Sequence, residues 1–141
     1  MILYLDTSAL VKRYFKEPYS EDVIDKWISA TKIVTSFVAY AETMASIYRK
    51  KRESCLDDLL VQEIQDLFKQ DWLSFVRVEV NDELNLYIDR VIEQHSLRGF
   101  DSIHLASALI IHQSIQENFL FVCFDDKLVH AARSEGMQTF P

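Results

Sequence analysis

Four acidic residues stand where a parallel α/β fold would gather them. Asp6 directly follows the apolar run Ile2–Leu5, and Asp125 directly follows the run Phe119–Phe124. Asp101 opens a helix after the loop Ser96–Phe100, and Glu42 lies a turn into another, among Ala39, Ala41 and Ala45. In an open parallel sheet, ligands bind beyond the carboxyl ends of the strands. Carboxylates directed into one pocket repel each other, and burial sharpens the conflict. A divalent cation removes it. Hard oxygen donors without a matching His or Cys set suit Mg²⁺ or Mn²⁺ rather than Zn²⁺. Such an ion polarises a phosphodiester and activates water, and a pair about 4 Å apart clamps attacking and leaving oxygens. Asp6, Asp101 and Asp125 are equally suited to cap helices, and spacing alone leaves both readings open. Thr7 and Ser8 follow Asp6 at a helix start, as caps or as donors to a phosphate or an acid. His104, on a helix rich in Leu, Ile and Ala, reads as a core histidine rather than a general base. His95, His112 and His130 have no constellation around them.

The elements that must position these acids alternate along the chain. Strands are predicted at Ile2–Leu5, Lys32–Thr35, Phe75–Val80, Phe119–Phe124 and Met137–Phe140. Helices are predicted from Thr7 to about Phe15, from Ser20, from Phe37 to Lys51, from Leu56 to Gln70, from Asp82 to His95, from Asp101 to Ser114 and from Asp126 to Glu135. The fourth helix shows Leu59, Leu60, Ile64, Leu67 and Phe68 as its apolar face; the fifth shows Leu84, Tyr87, Ile88, Val91 and Ile92. Gly136 stands where a helix ends in a left-handed residue. Strand–helix alternation implies a mostly parallel β-sheet between helical layers, a three-layer α/β/α fold in a single domain spanning 1–141.

Composition agrees with this class. The 141 residues are one ordinary domain, and 49% hydrophobic residues supply a core without staples. Two Gly and two Pro argue against long linkers and a turn-rich all-β fold. Cys55 and Cys123 form no CxxC and read as reduced thiols. The opening MILYLDTSAL lacks the basic and long apolar regions of a signal peptide, and no stretch reaches the ~18 apolar residues of a membrane span. A cytoplasmic location with no membrane contact is the expectation. The net charge of −7 is unusual for a protein that grips nucleic acid.

The segments LDTSALVKRY, TSFVAYAETMAS, LRGFDSIHLASAL and FVCFDDKLVHAARSEGMQTF resemble, in order and spacing, the PIN-domain nucleases. They are particularly similar to the VapC-type toxins of toxin–antitoxin pairs, over nearly the whole chain. The resemblance implies Mg²⁺- or Mn²⁺-dependent cleavage of RNA. It places the family's acids on Asp6, Glu42, Asp101 and Asp125, with Arg98, His104, Leu105 and Ala106 matching around Asp101 and a hydroxyl residue at Thr7 or Ser8. With the resemblance, Asp6, Glu42 and Asp101 are expected to form the principal metal-binding group, with Asp125 expected to orient water or help to hold a second ion. Where the family often has Thr, this chain has Cys123, a poorer hydrogen-bond partner, which bears on the positioning of Asp125. An RNA substrate, a cognate antitoxin and a homodimer are the implied partners.

Arg49-Lys50-Lys51-Arg52 is the only dense basic run. Near a helix C-terminus it complements the macrodipole; with Lys12, Arg13 and Lys16 it would also form a phosphate-contacting patch, since local charge outweighs the net sum. Three other readings compete: a PIN-type RNA-processing nuclease outside toxin–antitoxin systems, a receiver-like signalling domain, and a non-catalytic binding module. A receiver requires a phosphoacceptor Asp at a central strand end and a late Lys, which this pattern lacks.

Overall fold

The computed structural model describes all residues from Met1 to Pro141. Twelve elements follow in order: β1 (Ile2–Leu5), α1 (Thr7–Tyr14), α2 (Ser20–Ser29), β2 (Lys32–Ser36), α3 (Val38–Ser54), α4 (Asp58–Ser74), β3 (Val76–Val78), α5 (Asp82–His95), α6 (Gly99–Ser114), β4 (Phe119–Val122), α7 (Asp126–Ser134) and β5 (Gln138–Phe140). The sheet has the order β3-β2-β1-β4-β5 and every pairing is parallel. A receiver-like sheet runs 2-1-3-4-5 instead, so the observed order removes that reading.

β1 lies at the centre, and all four of its residues are buried. Its side chains alternate between two cores. Ile2 and Tyr4 join Leu84, Val91, Leu105, Leu109 and Leu128 under α5, α6 and α7. Leu3 and Leu5 join Leu10, Val23, Ile47, Phe68 and Trp72 under α1 to α4. A strand covered on both faces needs no polar alternation, which is why ILYL is continuously apolar. The register sets Leu5 beside Val122 and Tyr4 beside Val34. The carboxyl ends of β1, β2 and β4 therefore open on the same edge. Connections diverge between β1 and β4, and that switch point is where such a sheet offers a crevice.

Several boundaries differ from the sequence expectation. β4 ends at Val122, so Asp125 stands three residues beyond the strand rather than directly after it. α6 begins at Gly99, so Asp101 lies within its first turn and not at its start. β3 shortens to Val76–Val78; at its start the Phe75 amide closes α4 on the Trp72 carbonyl. α4 presents a different face from the one its leucines suggest. Val61, Gln65, Phe68 and Trp72 point inward, while Leu59 is 79% and Leu73 76% exposed. In α5, Leu84 and Val91 are buried, Tyr87 and Ile88 pack on the same core, and Ile92 is exposed. Gly136 adopts φ +83°, as its place after α7 requires. Both cysteines are free thiols.

Candidate active site

Asp6, Glu42, Asp101 and Asp125 arrive on four different elements and line one pocket at the carboxyl edge of the sheet. Thr7, Ser8, Lys12, Glu17, Arg49, Lys50, Arg98 and His104 share that lining.

Asp6 is both a cap and a pocket residue. Its Oδ1 accepts from the Ala9 amide at 3.0 Å and from the Ser8 hydroxyl at 2.7 Å. Its Oδ2 accepts only from the Cys123 thiol, at 3.1 Å. Burial pushes the Asp6 carboxyl above the ordinary range, against the lowering influence of His104, Ser8 and Cys123. A charged Asp6 in this place is costly without a cation.

Glu42 is held the other way. Its Oε1 accepts from the Thr7 hydroxyl at 2.8 Å and pairs with His104 Nε2 at 2.7 Å. Burial raises its carboxyl, but the His104 hydrogen bond and charge, with Thr7, outweigh that and hold it below the ordinary range. His104 is fully buried, as a core histidine would be, yet it is not an inert one. Its Nδ1 lies 3.0 Å from the Tyr4 hydroxyl. Burial above all keeps Tyr4 protonated, and Nε2–H donates to the ionised Glu42. A chain of hydrogen bonds thus runs from the central strand through α6 to an acid on α3. Sequence reading missed this chain, since Tyr4 looks like any strand core residue. The spacing of His104, three residues after Asp101, was the available signal.

Asp101 receives the Arg98 Nε–H on Oδ2 at 3.3 Å. Asp125 caps α7, accepting the Leu128 amide on Oδ1 at 2.9 Å. Cys123 bears on both ends of the site. Its sulfur takes the Asp125 amide at 3.3 Å while its S–H points at Asp6. Burial, then the Asp6 charge, drives the Cys123 pKa far up, so it stays a thiol. The weaker hydrogen bonding expected of sulfur therefore falls on Asp6 and on the Asp125 backbone; the Asp125 carboxylate is aimed by the α7 terminus.

The donor set suits a hard cation. Each of the four carboxylates spends one oxygen on the protein frame, and the other takes no N–H or amide, with only a thiol on Asp6 Oδ2. No three His, Cys, Asp or Glu side chains stand close enough together to hold a metal ion between them. Mg²⁺ characteristically uses one or two carboxylates and keeps several waters, so a pocket lined by separated acids fits that mode of binding.

The basic residues divide. Lys12, Arg49, Lys50 and Arg98 line the pocket. Arg13 is bound to Asp71 at 2.8 Å, Lys51 to Asp58 at 2.6 Å, and neither reaches the acids. Lys16 and Arg52 are exposed outside it. Of the seven basic residues expected to form one patch, Lys12, Arg49 and Lys50 line the site, and Arg13, Lys16, Lys51 and Arg52 lie outside it.

A doubly covered parallel sheet with acids from four elements at its switch point defines a class: α/β domains that gather carboxylates at the carboxyl edge of the sheet. A PIN domain model matches residues 3–134, and the chain belongs to the PIN domain family. It is 25% identical over 140 residues to Ribonuclease VapC45 of Mycobacterium tuberculosis, covering 99% of this chain and 95% of that protein. Its fold matches FitAcB from Neisseria gonorrhoeae with a TM-score of 0.70 at 16% identity, over 100% of this chain and 97% of that one. It also matches a toxin–antitoxin complex from Klebsiella pneumoniae with a TM-score of 0.64 at 11% identity, over 87% and 86% of the two chains. No helix is long and apolar enough to cross a membrane.

Proposed function

We propose that this protein is a metal-dependent endoribonuclease and the toxin of a type II toxin–antitoxin pair. The observation that carries the reading is the meeting of Asp6, Glu42, Asp101 and Asp125 in one pocket, each with an oxygen left over from the frame. In this reading those four residues hold Mg²⁺ or Mn²⁺. The bound cation supplies Lewis acidity to a phosphodiester. The chain's own residues orient and steer. Ser8 and the Ala9 amide fix one oxygen of Asp6, and His104 with Thr7 fixes one oxygen of Glu42. Lys12, Arg49, Lys50 and Arg98 give an acidic protein a positive rim at the one place where RNA must approach.

The partner follows from the same reading. An antitoxin segment carrying basic side chains would find the acid pocket electrostatically favourable, and the structural match to a toxin–antitoxin complex supports looking for one. A homodimer belongs to the proposal, with the exposed apolar rim of Val80, Ile92 and Phe100 as its contact. A single-chain mass by light scattering would remove it.

The test is direct. Purified protein is incubated with structured RNAs, including tRNA, in Mg²⁺, in Mn²⁺ and in EDTA. Cleavage is expected with either metal, none in EDTA, and suppression when a candidate antitoxin is added. Cleavage that persists in EDTA would sink the metal role, and RNA left intact in both metals would sink the enzyme.

A further inference from the structure

One acid in the pocket, Glu17, is not among the four ligand candidates. Glu17 sits in the turn between α1 and α2 and reaches in among the lysines. Its Oε2 lies 3.1 Å from Lys12 Nζ and its Oε1 2.5 Å from Lys50 Nζ. A single anionic centre thus offers one oxygen to each of two ammonium groups, as the two non-bridging oxygens of a phosphodiester would. The lysines are prepared for this. Lys12 is only 8% exposed, with Nζ 4.4 Å from the centre of the Phe124 ring, and Lys50 packs over Phe15. Glu17 is anchored by its backbone: its amide donates to Ser20 Oγ and its carbonyl accepts the Ser20 amide. Its carboxylate can leave without disturbing the turn. Burial raises the Glu17 carboxyl, but Lys50 and Lys12 overcome this and keep it ionised. The neighbouring pair Lys51–Asp58 is chemically the same, yet Asp58 is 89% exposed and the pair lies outside the pocket.

We propose that Lys12 and Lys50 form a subsite for an RNA phosphate next to the scissile one, and that Glu17 fills it until that phosphate displaces it. The proposal rests on the ribonuclease reading. Glu17 is then a positioning residue that weakens RNA binding and sharpens its salt dependence in reverse. With Glu17 present, the lysines' charge is partly neutralised and displaces few of the RNA's condensed counterions; without it, binding displaces more.

The experiment is fluorescence anisotropy of a labelled oligouridylate in EDTA, across a salt series, with wild type, Glu17→Gln, Lys50→Gln, the double variant and Asp58→Asn. Glu17→Gln is expected to bind roughly threefold to tenfold tighter, the scale of two part-exposed ion pairs, with a steeper salt slope. Asp58→Asn removes the same charge one pair away and should change affinity less than twofold. Lys50→Gln should weaken binding and cancel most of the Glu17→Gln gain in the double variant. A gain no larger than that of Asp58→Asn, a gain undiminished in the double variant, or no binding by any variant would overturn the subsite. Cleavage in Mn²⁺ separates the two readings. If wild type cuts RNA but Glu17→Gln gains nothing, the subsite falls alone; if Glu17→Gln gains affinity and no RNA is cut, the ribonuclease reading falls and only a phosphate site gated by Glu17 is left.

Discussion

Asp6→Asn should lower metal-dependent RNA cleavage on the order of a hundredfold or more, since losing even a supporting partner of a ligand typically costs 10–100-fold, while the protein stays folded. Asparagine keeps the Oδ1 acceptor that caps α1 through the Ala9 amide, and its amide nitrogen can face the Cys123 sulfur. What it loses is the charge. Burial raises the Asp6 carboxyl in the folded state, so the folded protein holds that proton more tightly than the unfolded chain. The associated stability is present below the ordinary Asp value of about 3.9 and is lost as pH rises through the raised folded value. At neutral pH, metal-free Asp6→Asn should therefore be at least as stable as wild type. Mg²⁺ should raise the melting temperature of wild type and leave the variant unmoved. Equal cleavage, or an equal thermal shift with Mg²⁺, would remove Asp6 from the ligand set.

His104→Ala should cost about 2–3 kcal/mol of stability and roughly 10–100-fold in cleavage. The first figure is the penalty of leaving the buried Tyr4 hydroxyl without its partner; the second is typical of a group that orients a metal ligand. The pH dependence has a definite sign. Glu42 is held below its ordinary value, so it adds stability above about 4.3 that is lost as pH falls through its lowered folded value. Without His104, burial acts on Glu42 unopposed except by Thr7, and the acid limb of the pH–rate profile should move upward. His104→Gln, which can still donate to Glu42, should recover part of the rate. A variant with normal rates and an unmoved acid limb would return His104 to the core and nothing more.

What the sequence disclosed here, and what it hid, follows from the range of the interactions involved. The strand end that carries Asp6 was legible because ILYL is an apolar run of strand length closed by a polar residue, whereas Cys123 and Phe124 continue the apolar run past the end of β4 and hid the gap before Asp125. Two caps were legible for a local reason: Asp6 and Asp125 bond an amide three residues ahead. The α4 face was misread because Gln65 occupies the middle of the inward row, interrupting Val61, Phe68 and Trp72, while Leu59, Leu60 and Leu67 mark out a competing periodicity. The Tyr4–His104–Glu42 chain was hidden because it joins residues 100 and 62 positions apart. No window along the chain holds both ends of it. The split of the basic run was equally invisible, since Lys50 and Lys51 are adjacent and only Glu17 and Asp58 tell them apart.

The sheet's two outer strands limit how this molecule can join another. β3 and β5 are three residues each, and β5 runs straight into Pro141, which has no amide hydrogen to offer. A visiting strand would find too few unpaired backbone groups on either border to lengthen the sheet, which is how natural proteins keep such borders from templating aggregates. Any stable companion must then be recognised by side chains on the helical layers, where a few substitutions suffice to change which companion is accepted. The backbone lattice is left free to stay constant while pairing diverges around it.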